Sequence, residues 1–495
     1  MRNVPSFYVE NFGCRATQAD GAAIARQFRD RGLNRAFSPR NAELVILNTC
    51  TVTASADQDA RAAIRRIHRE NPGCQIIVTG CYAQRAPQEI AALPGVTQVI
   101  GNSHKHQLAE IVTAWAPAFV PLASLAASPR PSRNDARNIF VSDIFAHTEL
   151  LAAPVFEGQA TSGARTRPNL KVQDGCDNRC SFCVIPSVRG QSRSLPLTQV
   201  LGEVNALVAS GYREVVLSGI NLGRWGTDLP DQPCFVRSAG FEMTRGKLGF
   251  ENLVGAILAE TSLEKLRLSS IEPMDWSHQL IAMMSQSRRI AKHAHVPLQS
   301  GSDRVLRLMH RKYRPWHYRE KIETIRAAMP TAAIGADVMV GFPGETQADF
   351  EETRRMIDSL PFTYLHVFTY SSRPGTPSAI LQDQVPVHRR RERNRILRDL
   401  AAEKKLAFMQ FFVGQEIEAI TLGSVPSLVS TGTAGLAPER DRAADGSGVV
   451  QGQDFTEALT DNYLKLRLKG RHAPNRWIRA QVERVEDGCL VGSAL

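Results

Sequence analysis

Three times within its first hundred residues the chain runs through a short apolar stretch, reaches a cysteine and then takes up a helical rhythm. Phe7-Tyr8-Val9 leads into Asn11-Phe12-Gly13-Cys14, Glu43 to Leu47 leads into Asn48-Thr49-Cys50, and Gln75 to Val78 leads into Thr79-Gly80-Cys81. Helical spacing follows over 17–31, 55–70 and 84–92, and Val96 to Ile100 reads as a fourth strand. Strand–helix alternation predicts a parallel α/β sheet. The carboxyl ends of its strands share one edge, where ligands bind. Cys14, Cys50 and Cys81 would therefore converge there as a three-thiolate site. The competing reading is three separate buried or free thiols, since cysteine is often buried for packing alone. Cys74 precedes its strand and falls at the opposite end of the sheet. Cys234, in a loop-like segment, and Cys489, near the C-terminus, read as bystanders.

A second group of thiols is compact in sequence. Cys176, Cys180 and Cys183 stand at spacing C-x3-C-x2-C just after the apolar run Leu170 to Gln173, with Gly175 opening the loop. Such a loop can wrap a cube-shaped iron–sulfur cluster, and three protein ligands on four irons leave one iron free for chemistry. The alternatives are a structural zinc loop or a few cysteines with no special role. Zinc sites usually pair C-x2-4-C with a further pair downstream, and no such partner follows here.

From residue 168 a new rhythm begins. Strand candidates are Leu170–Gln173, Glu214–Ser218, Lys265–Ser269, Ala294–Val296, Gly335–Val340 and Tyr364–Thr369, with helical patterns near 197–210, 249–261, 277–288, 315–328 and 346–359. Six β/α units predict a parallel sheet curled into a partial barrel, with its active edge at the strands' carboxyl ends. The loops there contain Ser218-Gly219-Ile220-Asn221, Ser269-Ser270-Ile271-Glu272-Pro273, Pro297-Leu298-Gln299-Ser300-Gly301-Ser302, Gly341-Phe342-Pro343-Gly344-Glu345 and Tyr370 to Gly375. Glycine permits close backbone approach to a ligand, and Ser, Asn, Gln and Glu supply hydrogen bonds for hydroxyl, amino or carboxylate groups. Turn chemistry alone would explain the glycines and prolines. No Gly-Lys-Ser/Thr follows Gly344, so this is not a phosphate loop.

The 495 residues allow roughly three domains at about 150 residues each. The expected division is 1–115 for the N-terminal sheet, 116–167 for an Ala/Ser/Pro/Arg-rich linker with one strand near Ile139 to Val141, and 168–385 for the partial barrel. A basic connecting helix would follow at 386–411, and a small β-barrel at 412–495. The barrel's strand candidates are Glu416–Thr421, Tyr463–Leu468, Ile478–Val485 and Leu490–Val491, with a glycine-rich loop at Thr431 to Gly448. A net charge of +11 favours a polyanionic partner, nucleic acid over membrane, against a merely basic soluble protein. Small β-barrels commonly bind nucleic acid, and Lys465, Arg467, Lys469, Arg471, Arg476 and Arg479 make this one basic. The helix from Arg389 to Lys405 reads either as a solvated basic face or as a phosphate contact. No signal peptide and no apolar run of spanning length is read, and nine cysteines in such a chain point to metal ligation in a reducing cytoplasm. Thr227 to Lys247 reads as an extended loop without an assigned role.

Taken together, these motifs resemble the radical S-adenosylmethionine methylthiotransferases over nearly the full length. Within that family the chain looks most like the branch acting on N6-threonylcarbamoyladenosine at position 37 of the tRNA anticodon loop. Asn48-Thr49-Cys50-Thr51-Val52-Thr53 and Thr460-Asp461-Asn462-Tyr463-Leu464-Lys465 carry that likeness. The resemblance implies an α/β protein with a C-terminal TRAM-like barrel that binds tRNA. It implies a radical-generating [4Fe–4S] cluster on Cys176, Cys180 and Cys183, whose open iron chelates S-adenosylmethionine. It further implies an auxiliary [4Fe–4S] cluster on Cys14, Cys50 and Cys81, carrying sulfur that a second S-adenosylmethionine methylates before delivery to C2 of the adenine. Asn221, Ser269, Glu272 and Gln299 are the expected S-adenosylmethionine contacts. The absence of a Ser/His/Asp or paired-carboxylate arrangement agrees with chemistry done by the cofactor. Neighbouring readings are the same chemistry on isopentenyladenosine in tRNA or on a ribosomal-protein aspartate, and a non-catalytic iron–sulfur RNA-binding redox sensor. Sulfur source and electron donor have no signature in the sequence.

Overall fold

The computed structural model describes residues 5–115, 138–147, 150, 166–230, 237–238, 241–242, 248–423 and 455–495. Most of the linker, Cys234 with most of the segment around it, and the Thr431 to Gly448 loop lie outside the described residues. The chain divides into two compact units. One comprises Met1–Val155, Asp174–Asn178 and Cys183–Arg193, and the other Phe156–Gln173, Arg179–Phe182 and Ser194–Leu495.

In the first unit, β1 (Ser6–Asn11), β2 (Asn34–Arg35), β3 (Leu44–Thr49), β4 (Gln75–Gly80), β5 (Val96–Gly101) and β6 (Ile139–Phe140) form a six-stranded sheet in the order β2-β1-β3-β4-β5-β6. Every pairing in it is parallel. The helices are α1 (Arg15–Asp30), α2 (Ala54–Glu70), α3 (Cys81–Arg85), α4 (Pro87–Ala91), α5 (Leu108–Trp115) and α6 (Ile185–Arg189). All six residues of β3 are buried. Its alternate side chains serve two cores: Val45 and Leu47 join Ile64, Ile67 and Val78 on one face, while Leu44 and Ile46 join Ile24, Phe28 and Ile77 on the other. A strand covered on both faces reads as an unbroken apolar run, as Leu-Val-Ile-Leu does here. Thr53 starts α2 by accepting the Ala56 N–H at 3.2 Å, which supplies one of the orphan helix-start contacts. The helix expected over 84–92 is two short helices, because Pro87 cannot continue the first.

In the second unit, β7 (Asn169–Lys171), β8 (Glu214–Ser218) and β9 (Lys265–Leu268) form one parallel sheet, and β10 (His293–His295), β11 (Ala333–Val340) and β12 (Tyr364–Thr369) form another. A parallel bridge between Leu266 and Ile290 links them, so the strands follow in chain order, as a partial barrel requires. Helices α7 (Leu197–Ala209), α8 (Phe250–Glu260), α9 (His278–Gln286), α10 (Asp303–Leu308), α11 (Pro315–Ala328), α12 (Gln347–Ser359) and α13 (Val387–Gln410) alternate with or follow these strands. One strand face is apolar and buried, with Ala294, Ile334, Ala336, Val338 and Val340. The register puts Glu214, Lys265, Arg267, His293, His295, Asp337, Tyr364 and His366 on the opposite face.

The C-terminal strands β13 (Glu416–Thr421), β14 (Phe455–Thr460), β15 (Lys465–Lys469), β16 (Trp477–Glu486) and β17 (Cys489–Ala494) close into a barrel in the order β13-β14-β15-β17-β16. Strand β14 was not anticipated. The strand expected from Tyr463 starts only at Lys465, because Thr460 to Tyr463 makes a turn with Tyr463 at φ 71°. Thr460 Oγ1 donates to Asn462 Oδ1 at 2.7 Å and accepts from Leu464 N at 2.7 Å, which closes that turn. Met409 and Phe412, at the end of α13, enter the barrel core.

Candidate functional site

The cysteines of the first unit lie where β1, β3 and β4 end. Cys14 immediately precedes α1, Cys50 follows β3 directly, and Cys81 is the first residue of α3. Glycines make the approach possible. Gly13 has φ +99°, and a Cβ there would lie 2.5 Å from Cys50 Cβ and 2.8 Å from its Sγ. Gly80, also at φ +99°, would strike the Thr49 carbonyl at 2.3 Å. Only glycine suits a left-handed conformation pressed this closely against neighbours.

The thiols also feel one another. Burial, then the charges of Cys14 and Cys81, pushes the Cys50 thiol up to about 12. A thiol held protonated among other thiols is the expected metal-free state of a site whose thiolates need a cation, so the residues suit an iron–sulfur group. Beside them lies a buried ion network that the linear sequence did not reveal. Arg189 donates to Asp174 at 2.8 and 3.0 Å and to Asp20 at 2.9 Å, and Lys105 reaches the same Asp20 carboxylate at 3.0 Å. Burial alone would lower the Arg189 pKa; Asp174, Cys81, Asp20 and Cys14 raise it well above its usual value. The fixed guanidinium charge offsets negative charge on Cys14 and Cys81. Asn102 Nδ2–H donates to Cys81 Sγ at 3.5 Å and to the Val188 carbonyl at 2.7 Å. Val184 and Val188, in the stretch after Cys183, pack directly against Cys81.

The C-x3-C-x2-C loop has local supports of its own. Gly175 is at φ +72°, and a Cβ there would meet the Gln191 carbonyl at 1.8 Å. The Cys176 N–H donates to the Gly190 carbonyl at 3.1 Å. In the second unit, the stretch around Cys180 is held by Ser181, whose N–H and Oγ donate to the Met309 and Leu308 carbonyls at 3.1 and 2.7 Å. Arg311 Nη1–H donates to Cys180 Sγ at 3.1 Å, and Arg311 also pairs with Glu272. Hydrogen bonds to a ligating sulfur tune a cluster's potential. Arg311 was missed because a lone arginine in Met-His-Arg-Lys-Tyr-Arg carries no motif.

The residues expected at S-adenosylmethionine occupy the carboxyl ends of the central strands. The Asn221 N–H donates to Gln173 Oε1 at 2.7 Å. Ser269 follows β9, and its N–H donates to the Leu217 carbonyl at 3.0 Å. Gln299 sits at φ 62°, held by Asp337 and Met339 backbone hydrogen bonds of 2.8 and 2.9 Å. Glu272 is engaged by Arg311. Other loop residues face inward to build the scaffold. Ser302 Oγ donates to Asp349 at 2.7 Å, and the buried Glu345 pairs with Arg393 of α13 at 2.6 Å. That basic helix is thus partly an internal clamp. Cys74 borders the core on the far side of β4, and Cys489 opens β17.

Residues 6–101 match the model of an uncharacterized protein family, UPF0004, and residues 170–357 match the radical SAM superfamily. Threonylcarbamoyladenosine tRNA methylthiotransferase MtaB of Bacillus subtilis strain 168 is 32% identical over 459 residues, covering 92% of this chain and 89% of the relative. The MtaB of Aquifex aeolicus is 34% identical, covering 83% of this chain and 92% of the relative. The chain belongs to the radical S-adenosylmethionine methylthiotransferase family. A tRNA-2-methylthio-N6-dimethylallyladenosine synthase of Novosphingobium aromaticivorans is 34% identical as well, over 84% of this chain and 86% of its own length. A solved radical S-adenosylmethionine methyltransferase, TsrM from Kitasatospora setae with cobalamin and a [4Fe-4S] cluster bound, superposes with a TM-score of 0.55 at 15% identity. It covers 77% of both chains and shows likeness of fold alone. As a methylthiotransferase the protein is an enzyme that transfers sulfur-containing groups, uses S-adenosylmethionine and carries two [4Fe–4S] clusters. The reading as a non-catalytic sensor is thereby set aside. Among the described residues no helix is long and apolar enough to cross a membrane.

Proposed function

We propose that this methylthiotransferase adds the 2-methylthio group to N6-threonylcarbamoyladenosine at position 37 of tRNA. The observation that carries the chemistry is the convergence of Cys14, Cys50 and Cys81 at one sheet edge, apart in sequence from the C-x3-C-x2-C loop. For the substrate, the Bacillus subtilis relative, matched over 92% of this chain, bears that nucleoside in its name. Cys176, Cys180 and Cys183 would ligate the radical-generating cluster, and Cys14, Cys50 and Cys81 the auxiliary one. When bound, these clusters and S-adenosylmethionine supply the radical, the sulfur and the methyl group.

The chain's own residues position and charge-balance these groups. Arg311 donates a hydrogen bond to Cys180 Sγ and is itself held by Glu272, which fixes charge beside that sulfur. Arg189, fixed by its buried pairs with Asp174 and Asp20, places positive charge near Cys14 and Cys81. Asn221, Ser269, Glu272 and Gln299 would orient S-adenosylmethionine at the strand ends. The exposed Lys465, Arg471 and Arg479 of the C-terminal barrel would meet phosphates of the anticodon arm.

The Novosphingobium relative, 34% identical, favours a second reading, methylthiolation of dimethylallyladenosine. Reduced, reconstituted enzyme should be incubated with S-adenosylmethionine and tRNA carrying one nucleoside or the other, and products read by mass spectrometry. Formation of 5′-deoxyadenosine and 2-methylthio-N6-threonylcarbamoyladenosine is expected. Product from the prenylated tRNA alone would move the assignment to the second substrate, and absence of 5′-deoxyadenosine with either would overturn the chemistry.

A further inference from the structure

We propose that His295, Asp337 and His366 form a mononuclear divalent-metal site of the transition-metal class, separate from both cysteine sites. The three residues come from three adjacent parallel strands, β10, β11 and β12. His295 is in register with Gly335, and Asp337 with His366, so all three side chains leave the same sheet face. One ligand atom from each lies within 4.8 Å of the others, and among the described residues no other such group of His, Cys, Asp or Glu occurs. Two imidazoles and one carboxylate are a donor set that zinc, iron and similar ions accept, with coordination positions left open.

The geometry at His295 goes beyond proximity. Its side chain is 8% exposed, yet Nε2 makes no hydrogen bond. Asp337 Oδ1 stands 3.4 Å from that nitrogen, beyond the usual N–H···O range of about 2.7–3.2 Å. Two ligand atoms each about 2.0–2.1 Å from a tetrahedral ion stand about 3.4 Å apart. The spacing therefore suits a nitrogen lone pair and a carboxylate oxygen sharing a cation better than it suits a direct hydrogen bond. The other ring nitrogen, Nδ1, is 2.6 Å from Ser270 Oγ. Donation of the Nδ1 proton to Ser270 leaves Nε2 with its lone pair, which is the arrangement by which neighbours of a metal-binding histidine fix its tautomer.

Shape agrees with a site open on one side. His295 is buried, Asp337 is partly buried and His366 is exposed, so an ion held by all three would keep a coordination position toward solvent. Gly335 lies opposite His295; a Cβ there would lie 2.1 Å from the Tyr364 ring, so the absent side chain makes room for that ring. Tyr364 in turn lies 5.9 Å from the His295 ring, nearly parallel to it at 21°, which limits how far the imidazole can turn. The open position takes a hard oxygen ligand, water when nothing else is bound.

Zinc is the probe, because its count is independent of cluster iron. Holoenzyme with both clusters reconstituted would be dialysed anaerobically against buffered Zn²⁺, and bound zinc counted by mass spectrometry. Its coordination shell would then be read by X-ray absorption. One zinc per chain with a nitrogen/oxygen shell at about 2.0–2.1 Å is expected. His366→Gln and Asp337→Asn should each weaken binding at least about tenfold, and Ser270→Ala about tenfold through the lost tautomer control. Iron content and circular dichroism unchanged from wild type would show that the variants are folded. His366 is exposed, which makes its replacement the safest of the three. Zinc with sulfur ligands near 2.3 Å, no zinc retained, or equal retention by His366→Gln and Asp337→Asn would each overturn the site.

Discussion

Gly13 shows how much of this protein's chemistry rests on a missing side chain. Its φ is positive, a Cβ there would lie only 2.5 Å from Cys50 Cβ, and Cys50 is itself buried, so there is no room for even a methyl group. On the proposed ligand sets, Gly13→Ala should displace Cys50 and cost the auxiliary cluster while the C-x3-C-x2-C loop keeps its own. Iron per chain is expected to fall from about eight to about four, the content of one [4Fe–4S] cluster. Iron analysis with Mössbauer spectroscopy checks this, and eight irons in the variant would mean that the approach is not needed. The cysteines were legible because each follows an apolar strand. Arg189, Asp20, Lys105 and Arg311 were not, because nothing in a linear pattern separates a buried, paired charge from a solvated one.

At the scale of elements, the alternation of strand and helix was readable wherever a strand is buried on both faces, as β3 is. It failed where a local break or a distant partner decides. Pro87 divides one expected helix into two, and β14 forms only by pairing with β13 and β15. Ser302 lies in a loop whose polar side chains were read as ligand contacts, yet its own bond is to the scaffold. Ser302, Thr346 and Arg304 all hold Asp349 in the first turn of α12. Burial would raise the Asp349 pKa, but these hydrogen bonds outweigh it and hold the carboxyl well below its usual range. A carboxyl depressed in the folded state stabilises fully above its unfolded pKa of about 3.9, and that contribution is lost as pH falls further toward the folded value. Asp349→Asn should cost roughly 2 kcal/mol at pH 7. The gap from wild type should narrow below about pH 4. Unfolding midpoints in urea at the two pH values measure it, and a gap that stayed constant would assign the effect to packing instead.

Within the second unit as a whole, the central barrel is joined to the C-terminal barrel by buried charge. Arg267 and Glu214 are both fully buried and 2.6 Å apart, and Arg267 also donates to the Asp461 carbonyl at 3.0 Å. Lys265 pairs with Asp461 at 3.1 Å, and Asn462 Nδ2 donates to the Thr331 carbonyl at 3.0 Å. Removing one member of a buried pair strands the other charge, so Arg267→Met should cost about 3–5 kcal/mol. The double replacement Arg267→Met with Glu214→Leu should recover much of that loss in thermal unfolding. These ties lie in the Thr460 to Lys465 stretch, which the sequence marked as a branch signature but not as a joint. The small barrel was therefore legible as a fold and not as a partner of the central one.

Methylthiolation of N6-threonylcarbamoyladenosine is tested most directly in tRNA from a strain lacking this gene, digested to nucleosides and analysed by mass spectrometry. Loss of 2-methylthio-N6-threonylcarbamoyladenosine, with N6-threonylcarbamoyladenosine left in its place, is the predicted result. An undiminished level of the methylthiolated nucleoside would contradict the assignment.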